Sequence, residues 1–532
     1  MQLPSQSILL NTKPAVAVPA LLLLSLFGYL LWSAIYNLFI HPLKRFPGPK
    51  SWAISRIPYT RSYLSGSGHK NFHKLHQKYG PVVRVAPDEL SFTSAEAWKE
   101  IMGHRKDSGD ENAKDVIFSA GWENTILGAN REDHRRYRRI LSNGFSAKAM
   151  QDQQPMMMKY VDLLFQRLHE NCDDGKKALD LVSWYNFTTF DIIGDLAFGE
   201  SFGCLASSNY HPWISLIFQS VKAGSFMTSM RRLGRGFDVL LNWLIPRQLL
   251  QKREQHMRLV HEKVAQRLAT NTDRPDFMDT MVRKEGALKM SLDEVQAHAN
   301  VLILAGSEST ATTLSGTTYL LCMHPDILHK LATEVRTVFK SESEIDLFSV
   351  QKLPYMLAVL DEAMRVYPPV PSAIPRTTPP SGNMILGEYL PGNIKLGIWQ
   401  WALNRDPNNF TDPETFIPER WLGDPRFAND KTDSLQPFSY GPRNCIGKNL
   451  AYAESRLILA RMIWNFDLKI ADDSRRWIED SEMYMIWQKD PLHVYLTPRK
   501  FEIEEDSCIT KFEIVASRPE VVTVGRWAQI IV

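Results

Sequence analysis

The first pattern along the chain is a run from Val16 to Ile40 that is rich in leucine and carries no charged side chain. At 1.5 Å per residue, a helix over these 25 positions exceeds the roughly 30 Å of a bilayer's hydrocarbon core. A single tilted transmembrane helix over 16–40 is predicted. A cleaved signal peptide would have a shorter apolar stretch and a small-residue cleavage site. Here the run meets His41-Pro42-Leu43-Lys44-Arg45 instead. Lys44, Arg45 and Lys50 follow the span and only Lys13 precedes it, which places 1–15 in the lumen and the body in the cytoplasm. Residues 41–50, with Phe46-Pro47-Gly48-Pro49, read as a stiff hinge.

Past the hinge the apolar period alternates between helix and strand. His69 to Tyr79 reads as a short helix stopped by Gly80-Pro81. Val82 to Val85 reads as a strand ending in a turn at Pro87-Asp88. Residues 150–290 read as mostly helical, with loops near Ser207-Ser208-Asn209 and Asn271-Thr272-Asp273. Ser291-Leu292-Asp293-Glu294 is a capping box opening a helix that runs to Met323, before His324-Pro325. That helix spans about 50 Å. Leu353-Pro354-Tyr355 opens another, and the prolines from Tyr367 to Arg376 force an extended run. Gly387 to Gly392 reads as a turn-linked strand pair, and Lys448 to Trp464 as a helix. The tail 500–532 has alternating apolar residues and no assigned role.

Composition narrows the function classes. A net charge of +3 over 532 residues gives no reason to expect nucleic acid as a partner. The five cysteines are scattered, odd in number and without a CxxC, which argues against a disulfide framework or a zinc cluster and for a reducing compartment. Two glycosylation sequons, Asn186-Phe187-Thr188 and Asn409-Phe410-Thr411, are expected to be empty in a cytoplasmic body.

The candidate chemistry centres on Phe438-Ser439-Tyr440-Gly441-Pro442-Arg443-Asn444-Cys445-Ile446-Gly447. Gly441 and Gly447 let backbone N–H groups turn towards the sulfur. The N-terminus of the following helix favours a thiolate there, and Arg443 adds a cation. One such thiolate suits the axial position of a haem iron, where its electron donation favours O–O cleavage. The pattern F-x-x-G-x-R-x-C-x-G resembles the haem-binding signature of cytochromes P450, with every fixed position filled.

Three further stretches resemble the same family. Ala305-Gly306-Ser307-Glu308-Ser309-Thr310 is similar to its oxygen-activation motif, with Ser309 where threonine is usual. The resemblance implies that Glu308 and Ser309 deliver protons. Small residues there would let the helix pass over a flat ligand, and the missing methyl of Ser309 predicts looser proton delivery and more peroxide leakage. Glu362-Ala363-Met364-Arg365 and Pro418-Glu419-Arg420-Trp421 resemble the elements that lock the haem core as Glu362–Arg365–Arg420. The basic segment Arg131 to Ser142 resembles the C helix, with His134 in a position usually held by tryptophan and Arg138 four residues on.

The resemblance implies a mainly α fold with small β-sheets, a haem domain over 51–499 and one membrane anchor. It implies haem b, with Cys445 as the metal ligand and Arg443, Arg376, Arg138 and His134 as further cofactor-binding residues. NADPH electrons would come from a separate NADPH–cytochrome P450 reductase, whose acidic surface Arg135, Arg136 and Arg139 would face, with cytochrome b5 a second candidate partner. Phe218 to Met230 would roof the substrate cavity and Val370 to Ile374 would line it. The implied enzyme sits in the endoplasmic reticulum membrane, among lipid, and oxygenates an apolar small molecule. The surroundings of Asp133-His134-Arg135-Arg136 and Ala451-Tyr452-Ala453-Glu454 are most similar to fungal enzymes of specialised metabolism. Two other classes stand beside this reading: an isomerase or dehydratase of the same fold that uses no O2, and a non-enzymatic haem-binding protein.

Overall fold

The computed structural model describes residues 14–104, 111–234, 247–270, 274–282 and 288–500. The apolar run forms an α-helix, Pro14–Ile35, continued by a π-helical turn over Tyr36–Ile40. Val18–Ile40 is long and apolar enough to cross a membrane, and apart from Asn37 near its end it is not buried against protein. The segment after it folds onto the body. Leu43 is fully buried with Leu90, Phe92 and Leu396. The Arg84 guanidinium donates to the carbonyls of Asn37 (2.8 Å) and Pro87 (2.7 Å), while its backbone N–H donates to Pro47 (2.7 Å). A β-carbon on Gly48 would lie 2.4 Å from the Arg84 carbonyl oxygen, so this approach requires glycine.

The body is mainly helical, as expected. The capping box forms as read: Ser291 and Glu294 exchange side-chain-to-backbone bonds, and the central helix runs Leu292–Met323. Against it lies Leu181–Phe198, a helix buried on nearly every face. Two of its polar side chains find partners within the protein: Asp191 accepts the N–H groups of Cys204 and Leu205, and Thr188 donates to the Trp184 carbonyl. Asn186 belongs to this helix, and Asn409 donates to two backbone carbonyls; both sequon asparagines are buried.

Five short strands make the largest sheet, in the order Val82–Ala86, Glu89–Phe92, Lys395–Ile398, Arg376–Thr377, Ala113–Lys114. Glu89–Phe92 runs parallel to Lys395–Ile398 and the other pairs are antiparallel. A three-stranded sheet joins Ala178–Asp180, His493–Pro498 and Phe466–Ile470. Two hairpins stand apart. One pairs Asn383–Ile385 with Glu388–Leu390 through Leu386 and Gly387 at φ 52° and 76°, so its turn falls earlier than the sequence reading put it. The other pairs Glu482–Tyr484 with Ile486–Gln488. The helix Pro212–Arg231 lies over this second hairpin, with Ser225 donating to the Tyr484 carbonyl at 2.9 Å. The expected loop at 207–209 follows a short helix, Cys204–Ser207. The loop expected at 271–273 and the tail from 501 lie outside the described residues.

Candidate active site

The cysteine loop is closed by a bond from the Cys445 N–H to the Phe438 carbonyl, 2.8 Å. Gly441 has φ 77°, and a β-carbon there would meet the Met102 carbonyl oxygen at 2.1 Å, so no other residue fits. Gly447 has an ordinary φ of −85° and caps the helix Lys448–Asn465, so it works through its N–H, not through left-handed freedom. Cys445 is free and accessible, yet the atoms crowded round it push its thiol up. The Gly447 N–H, Arg138 and Lys448 oppose that shift. Arg443 does not stand as the thiol's cation, contrary to expectation. It donates to the Ala129 carbonyl (2.7 Å) and pairs with Glu111 (2.7 Å). Arg138 takes that place: it reaches across from the helix Arg131–Leu141 to the Asn444 carbonyl and to Asn444 Oδ1 (2.6 Å).

Beside this loop lies an unbalanced group of cations. His134 is buried, and its pKa falls to about 3, first through burial and then through Arg443, Lys114, Arg138 and Arg376. It is therefore neutral. Burial and the neighbouring Arg376 and Arg443 hold the Lys114 ammonium well below its usual range. Arg376 is lowered to about 10 by burial and then by Arg443, with Glu111 opposing. Lys114 and Arg376 stand directly opposite each other on adjacent strands, a placement that repels. Arg376 Nε meets only the Met102 sulfur at 3.1 Å, and Arg443 Nε has no partner. Such an arrangement lacks anions. Lys114 escaped the sequence reading because it sits in a two-residue strand whose partner appears only in the sheet. Arg136, offered as a docking cation, is instead tied to Glu294 and Asp133, whereas Arg135 and Arg139 are exposed.

The central helix presents Ala305 as an exposed residue and Ser309 as a half-buried one. The Ser309 hydroxyl donates to the Ala305 carbonyl four residues back, 2.6 Å. Gly306 faces elsewhere. A β-carbon there would come 2.7 Å from Ile193 Cδ1, so this glycine serves the packing of two helices and not a ligand. Glu308 turns to a different side again. It forms a buried ion pair with Lys489, and Thr312 bonds to both partners: it donates to Glu308 Oε1 (3.3 Å) and accepts from Lys489 (2.8 Å). Glu308 and Lys489 line a cavity of about 400 Å³ with Val182, Asn186, Tyr210 and Trp487 among its walls.

Glu362, Arg365 and Arg420 come together as anticipated from their motifs. Arg365 grips both carboxylate oxygens of Glu362 at 2.8 and 2.9 Å, and Arg420 approaches at 3.3 Å. Trp421 Nε1 and the Ile417 N–H add bonds of 2.9 Å to the same carboxylate. Arg365 also donates to the carbonyls of Asn404, Pro413 and Thr415. Asp430, absent from the sequence reading, balances Arg420.

A sequence model described as "Cytochrome P450" matches residues 47–496. The chain belongs to the cytochrome P450 family. Among similar curated proteins, a trichothecene C-15 hydroxylase of Fusarium sporotrichioides is 49% identical over 475 residues, covering 89% of this chain and 96% of that protein. An averantin hydroxylase of Dothistroma septosporum is 47% identical over 483 residues, covering 89% and 90%. A cytochrome P450 monooxygenase of Purpureocillium lilacinum is 44% identical over 480 residues, covering 88% and 92%.

This P450 is therefore an oxidoreductase of the monooxygenase type. Its family carries haem held by a cysteine thiolate, takes NADPH electrons through a reductase and binds small-molecule substrates. The residues present fit that group. An open, accessible cysteine stands beside cations that outnumber Glu111, their opposing carboxylate, and two haem propionates are carboxylates of the kind that would make up the balance.

Proposed function

We propose that this P450 hydroxylates an apolar, polycyclic small molecule of fungal specialised metabolism, with Cys445 as the iron ligand. The overall balance is RH + O2 + NADPH + H⁺ → ROH + H2O + NADP⁺, one oxygen atom entering the C–H bond and the other leaving as water. The observation that carries the reading is the thiol of Cys445 next to an excess of buried positive charge. Bound haem supplies O2 activation, with the thiolate's donation favouring O–O cleavage. Arg376, Arg443 and Lys114 would hold its carboxylates, with neutral His134 beside these cations. Arg138 and Lys448 stabilise the sulfur's negative charge, and Gly447 N–H points at it. Ser309 and Glu308 supply the protons that water formation consumes. The Glu362–Arg365–Arg420 cluster keeps the loop's foundation in place and takes no part in the chemistry.

Substrate class rests on the relatives, whose names specify hydroxylation of a trichothecene and of averantin. Val18–Ile40 anchors the enzyme in the endoplasmic reticulum membrane with its body in the cytoplasm, where NADPH–cytochrome P450 reductase, or cytochrome b5 for the second electron, can reach it. The deciding test is the carbon monoxide difference spectrum of the reduced protein in membranes. Wild type should give the Soret band from which the family takes its name, and Cys445→Ala should lose it. Haem bound in a folded wild type without that band overturns the assignment. Substrate-dependent NADPH consumption with reductase then separates a monooxygenase from an isomerase or a passive haem carrier.

A further inference from the structure

We propose that Lys489 is the positioning residue for Glu308, and that the cavity they share is the water chamber from which Glu308 draws its protons. The inference rests on the reading of Glu308 as a proton-handling residue and adds what controls it. Three observations carry it. Glu308 and Lys489 are both buried, with side-chain exposures of 4% and 3%, so the ammonium fixes where the carboxylate points. Thr312 ties the two together from the next turn of the same helix. The second carboxylate oxygen, Glu308 Oε2, is buried without a partner, and so is Asn186 Oδ1, and both residues line the cavity. Buried acceptors without partners call for donors, and a polar-ended cavity of about 400 Å³ has room for several waters to supply them.

The placement of Lys489 gives this device a second property. It directly follows the strand Ile486–Gln488. That hairpin is held by Ser225 and Lys222 of the overlying helix, the latter through Gln488 Oε1 at 2.9 Å, and by Ser372, which donates to the Met485 carbonyl at 2.9 Å. Ser372 lies in the extended run and Ser225 in the helix over the hairpin. A molecule pressing on either segment therefore moves the element that carries the ammonium. Proton supply becomes tied to how well the site is filled.

The charged and titratable groups facing Glu308 are Lys489, Tyr210 and Tyr367, with Lys222 and Tyr484 across the cavity. The test uses the full haem-loaded chain as wild type, Lys489→Met, Lys489→Arg and Glu308→Gln. Infrared spectra differenced against Glu308→Gln isolate this one carboxyl. In Lys489→Met the carboxylate stretching bands isolated by this difference should shift and broaden, because the side chain loses the ammonium that fixes it, and Lys489→Arg should restore them. Unchanged bands, or the same change in Lys489→Arg, overturn the positioning role. Val221→Trp, which fills the cavity wall, should enlarge the solvent deuterium isotope effect on reductase-supported NADPH oxidation. No enlargement overturns the water chamber. A wild type that keeps its thiolate Soret band while these readouts stay flat defeats this inference alone; loss of the band defeats the haem-thiolate reading beneath it.

Discussion

Two of the ionic groups within this P450 are built on opposite principles. In the core below the cysteine loop, Glu362 and Asp430 face Arg365 and Arg420, two charges against two. Beside the loop, Lys114, Arg376, Arg443 and Arg138 gather round a neutral histidine, with Glu111 as their opposing carboxylate. A balanced network is complete without any guest, and its members hold backbone segments together. An unbalanced one is costly until something of opposite charge arrives. Charge balance thus separates a scaffold from a binding site.

The comparison breaks most readily in the scaffold. Glu362→Gln leaves Arg365 and Arg420 buried without their shared carboxylate, and stability should fall by about 3–5 kcal/mol, read by chemical denaturation. A change below about 1 kcal/mol would mean that the core carries no special burden. Arg376→Leu sharpens the contrast because its sign should depend on haem. Without haem the substitution relieves repulsion and should stabilise the fold. With haem it removes a charge-assisted contact worth about 1.5–3 kcal/mol, so haem should be lost more readily to an apo-globin acceptor. Equal destabilisation in both states would class Arg376 with the scaffold.

The smallest expected effect comes from His134. Its folded pKa is near 3, against 6.5 as its ordinary value, so between those limits the unfolded chain binds a proton that the folded chain refuses. Stability contributed by this residue is present above pH 6.5 and is lost as pH falls towards 3. His134→Gln should flatten that part of the stability–pH curve in the haem-free protein. Haem carboxylates beside the ring should flatten it as well. An unaltered slope in the variant would show that the ring is not held neutral by its neighbours.

Much of this site could be read from local patterns, and the omissions share a cause. The capping box at Ser291, the cysteine loop and the paired Glu362–Arg365 are written within a few residues of one another, so spacing alone exposes them. Lys114 and Lys489 act through partners far off in the chain, Lys489 through one 181 positions away, across a sheet register and at the end of a hairpin. Gly306 and Arg443 sit inside recognisable motifs, but spacing does not say which neighbour a side chain meets. Gly306 packs on Ile193 and Arg443 turns to Glu111, both outside their motifs. Asp430 likewise reaches Arg420 from ten residues further on through an irregular segment.

Arg84 has a consequence for how the enzyme is mounted. Its side chain clasps the carbonyl of Asn37, at the foot of the apolar helix, while its backbone holds Pro47 on the far side of the turn. The linker is thereby a bracket, not a tether. With the apolar helix seated in a bilayer as proposed, any change in its tilt should turn the body with it instead of being absorbed at the linker.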